Sequence, residues 1–92
     1  MIRREAKVKS KYGIHARPSA AIAKVAIEFP DTEILIIDTV DKQIASARSI
    51  LDIMMLALFQ DEIVIVSASG KDEEKAVSAI VDIIETFEVE IK

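Results

Sequence analysis

His15 is the only histidine of the chain and stands in the run Gly13-Ile14-His15-Ala16-Arg17-Pro18. The residue types suit phosphoryl chemistry. A neutral imidazole nitrogen is a good nucleophile. Pro18 marks the first turn of a helix, because its missing N–H costs nothing there. First-turn amides and the positive end of the helix dipole favour an anion beside His15, by about 0.3–1 kcal/mol when exposed and up to ~2 kcal/mol when partly buried. Arg17 adds a planar fork of donors that can hold two phosphate oxygens. Gly13 lets the backbone turn without a side chain in the way. Phosphoryl transfer runs through a loose, in-line transition state, so a site needs mainly to position the donor and neutralise oxygens. A single arginine is a light clamp, and a lightly held phosphoimidazole remains a good donor. Taken alone, one histidine beside one arginine is more often a helix-capping or surface residue than a reactive one.

Composition narrows the classes. Ninety-two residues, 51% hydrophobic, suit one domain over residues 1–92, with no room for a second core. With no cysteine and one histidine, neither a disulfide framework nor a Cys/His metal cluster can be assembled, and no metal or cofactor is expected. No stretch approaches the ~18 uncharged apolar residues of a membrane span, which makes the cytoplasm the default address. The net charge of -4 is uneven: residues 1–24 carry seven Lys/Arg against Glu5 alone, a balance of +6 that leaves -10 for the rest. A basic region around His15 suits an acidic partner or a phosphate, and a few solvated lysines on an edge strand explain it equally well. Nucleic acid fits poorly, because Tyr12, Phe29, Phe59 and Phe87 are not interleaved with the cations.

The elements that must position His15 follow from periodicity. Glu5 to Lys9 alternates, with Ala6 and Val8 on one face of a short strand. From about Ala16 a helix carries Ile22, Val25, Ala26 and Phe29 on one stripe and stops at Pro30-Asp31. Glu33 to Ile37 and Gln43 to Ala45 read as a hairpin around Asp38 to Lys42. A second helix opens at Ser46 or Ala47 and carries Ile50, Ile53, Met54 and Ala57, with Leu51, Met55 and Leu58 making it apolar almost all round. Ile63 to Val66 is the last clear strand and Ser69-Gly70 turns the chain. Asp72 then caps a third helix with Val77, Ile80, Ile84 and Phe87 as its buried stripe. Alternation over Glu88 to Lys92 allows a further short strand. The order βαββαβα predicts an α+β fold, with helices on one face of a four-stranded antiparallel sheet.

Gly13 to Pro18 resembles the active-site signature of the HPr family, the histidine-containing phosphocarriers of the phosphoenolpyruvate-dependent sugar phosphotransferase system. Ala47-Arg48-Ser49-Ile50-Leu51-Asp52-Ile53-Met54 is similar to the family's second-helix segment, and Ser67-Ala68-Ser69-Gly70-Lys71-Asp72-Glu73 to its last strand and turn. The resemblance implies an open-faced β-sandwich, phosphorylation of His15 by Enzyme I and delivery to IIA components. It also implies that Arg17 assists the phosphate, and that the protein is a carrier and not itself a complete enzyme. Ser49 falls where many members accept a phosphate from a serine kinase, although a polar first-turn residue explains it as well. Ile50, Leu51 and Met54 align with the apolar patch used for docking, and core packing is the alternative. A monomer is the default for a carrier that shows one face to successive partners. Asp52, Ala57 and Asp61 stand where the family carries glycine, and Met55 where a small polar residue is common. A regulatory protein signalling through His15 or Ser49, and a ligand-binding module without phosphotransfer, are the competing readings.

Overall fold

The computed structural model describes residues 1–87. Its elements are β1 (Ile2–Lys7), α1 (Ala16–Ile27), β2 (Thr32–Asp38), β3 (Ile44–Ser46), α2 (Ile50–Met55), β4 (Ile63–Gly70) and α3 (Glu73–Thr86). The strand expected over Glu88 to Lys92 lies outside the described residues. The sheet is antiparallel throughout, in the order β1-β4-β2-β3. Among the described residues no helix is long and apolar enough to cross a membrane.

Period-two alternation decides which side of the sheet is covered. Ala6, Ile34, Ile36, Ala45, Val64, Val66 and Ala68 are buried and meet the helices. Helix α3 lies on β1 and β4, α1 packs against both other helices, and α2 sits beside β3. Ile22 and Ala26 of α1, Ile53 of α2, and Val77, Ile80 and Ile84 of α3 complete the core. Each fully buried aliphatic side chain stabilises the fold by about 1.5–3 kcal/mol. Val25 and Phe29, placed on the α1 stripe by periodicity, pack partly buried at its margin.

Several boundaries differ from the expected ones, each for a local reason. Strand β1 starts at Ile2 because its ladder to β4 runs the full length, from Ile2 opposite Ala68 to Lys7 opposite Ile63. Helix α2 does not open at Ser46 or Ala47. Ser46 is still paired with Leu35, Ala47 N–H donates to Ile34 O at 3.0 Å, and Ser49 is the N-cap. Ala57 lies beyond that helix and Ile53 is its only buried residue. Ser69 and Gly70 continue β4 instead of turning, because they pair with Glu33 and Thr32 of β2. Asp72 occupies the N-cap of α3 with a left-handed backbone, φ 57°, and its side chain makes no capping bond. Glu73 takes over that end: its Oε1 accepts from Gly70 N–H at 3.1 Å and its Oε2 meets the N-terminal ammonium at 3.1 Å. The Gly70 amide first, and the ammonium second, hold the Glu73 carboxyl below its ordinary range.

Candidate functional site

The segment before α1 is seated on the loop between α2 and β4. Ser10 is buried, its carbonyl accepts from Gly13 N–H at 3.0 Å, and its hydroxyl accepts from Tyr12 N–H at 3.3 Å. Gly13 turns the chain with φ 72°, and a Cβ there would collide with the Leu58 carbonyl oxygen and lie 3.2 Å from Phe59 Cα. The next amide, Ile14 N–H, donates to the same Leu58 oxygen at 3.0 Å, and the Ile14 side chain is buried. His15 is therefore delivered by a turn pinned at both of its preceding residues.

His15 is the N-cap of α1, with extended backbone angles of φ -91° and ψ -162°, and its carbonyl accepts from Ser19 N–H at 3.1 Å. Its side chain is half-buried and lies beside exposed Tyr12, the two rings 6.3 Å apart and nearly perpendicular at 86°. Lys11 Nζ is 5.1 Å from the same tyrosine ring. Arg17 is exposed on the first turn of α1, and its guanidinium carbon lies 5.8 Å from the centre of the Phe87 ring. Pro18 is buried in that turn. The imidazole thus stands at a helix N-terminus with a guanidinium on the same turn, the arrangement that suits a bound anion. The basic first quarter is only partly at the site: Arg4 donates to Ser78 on α3 at 3.0 Å, and Lys7 Nζ meets Asp61 at 4.0 Å on the neighbouring loop.

Ser49 is the N-cap of α2, away from the His15 turn in sequence, with its hydroxyl accepting from Asp52 N–H at 3.1 Å. Ile50, Leu51 and Met54 are 42%, 68% and 41% exposed, so these three are surface and not core. Met55 joins them at 71%. The guanidinium of Arg48 turns back to the Phe29 and Thr32 carbonyls and ties α2 to the end of α1. Two aromatic neighbours of the site escaped the periodicity reading. Tyr12 adjoins His15 in sequence and could have been suspected, whereas Phe87 reads as part of the α3 core stripe and reaches Arg17 only through tertiary packing.

Comparison with known proteins gives the family. A family model described as "PTS HPr component phosphorylation site" matches residues 2–86. The chain belongs to the HPr family. The phosphocarrier protein HPr of Haemophilus influenzae is 36% identical over 88 residues, covering 96% of this chain and all of that protein. The HPr-like protein Crh of Halalkalibacterium halodurans is 32% identical over 85 residues, covering 92% of this chain and 98% of that one. A crystal structure of HPr from Thermoanaerobacter tengcongensis superposes with a TM-score of 0.86 at 37% identity over the full length of both chains. The open-faced HPr architecture, a four-stranded antiparallel sheet with three helices in the order βαββαβα, is thereby established.

Two of the three positions at which the resemblance implies a glycine, Ala57 and Asp61 but not Asp52, carry a left-handed backbone. Ala57 and Asp61 hold positive φ angles of 52° and 73°, in the loop on which the His15 turn is seated. Left-handed geometry costs an L-residue about 1–2 kcal/mol, only part of which the unfolded-state freedom of glycine offsets. Ala57→Gly is expected to stabilise the fold by about 0.5–1 kcal/mol, read as a higher urea midpoint at unchanged slope. A lower midpoint would show that this loop carries no such strain.

Proposed function

We propose that this HPr-family chain accepts a phosphoryl group on a ring nitrogen of His15 from Enzyme I and passes it to IIA components of sugar transporters. The observation that carries the reading is the imidazole at the N-cap of α1 with the Arg17 guanidinium on the same first turn. In the forward step the lone pair of a His15 ring nitrogen attacks phosphorus. The bond from phosphorus to the donor group on Enzyme I breaks, and that group leaves with the bonding pair. Arg17 and the first-turn amides neutralise the three oxygens in flight. Onward transfer reverses the roles, with His15 as leaving group. The protein is thus a phosphorylated substrate of other proteins' reactions, acting in the cytoplasm as a monomer.

Ile50, Leu51 and Met54 supply the docking surface, where flexible and exposed apolar side chains suit several partners in turn. Ser49 is the proposed site of a regulatory phosphate. There the Asp52 carboxylate in the first turn of α2 would oppose a second negative group. That acid, the exposed Met55 and the similarity to Crh favour a second reading, in which phosphorylation at His15 or Ser49 signals to partners and transport is secondary. Incubation with phosphoenolpyruvate and Enzyme I, followed by a IIA protein, separates the two. Label that moves on to IIA supports the carrier, label that stays on the chain supports the signalling protein, and no label removes the carrier and leaves signalling to Ser49 alone.

A further inference from the structure

We infer that Arg48 is a positioning residue for the partner-facing side of α2, its guanidinium setting the angle at which Ile50, Leu51 and Met54 are presented. This rests on those three side chains forming the docking surface. Helix α2 has six residues and buries Ile53 alone. A helix of that length is not stable in water by itself, so its placement depends on what its surroundings hold. Buried Ala47 before it and buried Leu56 after it fix where it starts and stops. Two end contacts and one side chain between them do little to stop the helix rocking, and a further attachment is needed to set its angle.

The guanidinium of Arg48 supplies that attachment. Its Nη2 donates to Phe29 O and to Thr32 O, the latter at 3.0 Å. Both carbonyls belong to the connection between α1 and β2, which is a rigid post. Thr32 N–H closes it by donating to Phe29 O at 3.1 Å, Thr32 pairs with Gly70 across the sheet, and the buried Thr32 hydroxyl donates to Lys71 O. At the other end of the side chain, the Arg48 backbone directly precedes the cap of α2. Its N–H donates to Ser46 Oγ at 3.3 Å, and the next residue, Ser49, takes the Asp52 N–H on its hydroxyl at 3.1 Å. The arginine thus runs from the start of α2 to a fixed point on the sheet. Charge-assisted bonds from a planar fork suit a tie of this kind better than a rotating ammonium does. A surface held in one orientation before its partner arrives loses less freedom on docking.

The test follows the full chain as substrate of Enzyme I with phosphoenolpyruvate, beside direct labelling of His15 by phosphoramidate, which needs no docking. In the second reaction a His15 ring nitrogen attacks phosphorus, the P–N bond of the reagent breaks, and ammonia leaves with the bonding pair. Arg48→Ala is expected to raise the KM for the chain about three- to tenfold with kcat within about twofold, because fewer molecules hold α2 in the docking pose. The ratio to the parent is expected to persist at about 0.5 M salt, where the Debye length is about 4 Å and steering by charge is screened. Arg48→Lys keeps the charge without the fork and is expected to recover less than half of the loss. Labelling by phosphoramidate is expected to keep the parent rate in both variants. In the unaltered protein the Arg48 Nη protons are expected to give resolved, slowly exchanging signals, a readout that requires no variant to fold. An unchanged KM, a rise that vanishes in salt or is mostly recovered by lysine, slowed phosphoramidate labelling, or unresolved, rapidly exchanging Arg48 protons each overturns the inference. Leu51→Asp tells this failure from failure of the docking reading: a raised KM there keeps the surface and removes Arg48 alone, whereas an unchanged KM removes both. No label on the unaltered protein overturns the acceptor reading and this inference with it.

Discussion

His15→Ala is expected to take up no acid-labile, alkali-stable phosphate from phosphoenolpyruvate and Enzyme I, while the unaltered chain is expected to take up one group per molecule. Phosphoimidazole is labile in acid and survives alkali, the reverse of a phosphoserine, so the stability of the label reports the residue type as well as the amount. No other histidine exists to receive it. The effect is all-or-none because the reacting atom itself is removed. The fold should survive: the ring is half-buried, and the backbone capping bond from Ser19 N–H to the residue 15 carbonyl is retained. The expected change in unfolding free energy is within about 1 kcal/mol. Persistence of the label in His15→Ala would remove the central claim about this site.

Gly13→Val has the largest expected effect on stability. Its φ of 72° is hostile to a β-branched residue, and the added Cβ points at the Leu58 carbonyl oxygen. That oxygen cannot simply retreat, because it accepts the Ile14 amide at 3.0 Å. Left-handed strain of about 1–3 kcal/mol and a disturbed buried hydrogen bond worth about 1 kcal/mol set an expected loss of roughly 2–4 kcal/mol in urea unfolding. The labelling rate should fall as well, since the turn that presents His15 is displaced. A loss below about 0.5 kcal/mol would mean that the turn adapts without its seat on Leu58.

The His15 turn was legible because its meaning is local. Glycine, histidine, arginine and proline within one hexapeptide predict a turn and a helix start from local preferences alone, although the seat of that turn on Leu58 is not local. The long helices were legible for a related reason, their stripes being continuous. What escaped was decided by partners far along the chain. Ser69 and Gly70 have turn-forming residue types, yet β2 pairs with both and draws them into β4. Ser46 has the character of a helix start, yet Leu35 keeps it in β3. Asp72 is a favoured cap type, but Glu73 meets the Gly70 amide and leaves Asp72 to absorb the backbone turn. Phe87 obeys the α3 periodicity and still ends half-buried beside Arg17, just past the last helical residue. The surface of α2 was half legible: a helix apolar all round must leave some side chains uncovered, but only the fold says that Ile53 is the one taken inside.

The sheet order β1-β4-β2-β3 puts the last strand to be synthesised between the first and the second. During translation β1 therefore has no neighbour until residues 63–70 have left the ribosome, and the hairpin of β2 and β3 waits beside a vacant slot. Leu58, the seat of the Gly13 turn, lies in the loop that leads into that strand. A chain that stops short of residue 58 consequently lacks the seat on which the His15 turn rests.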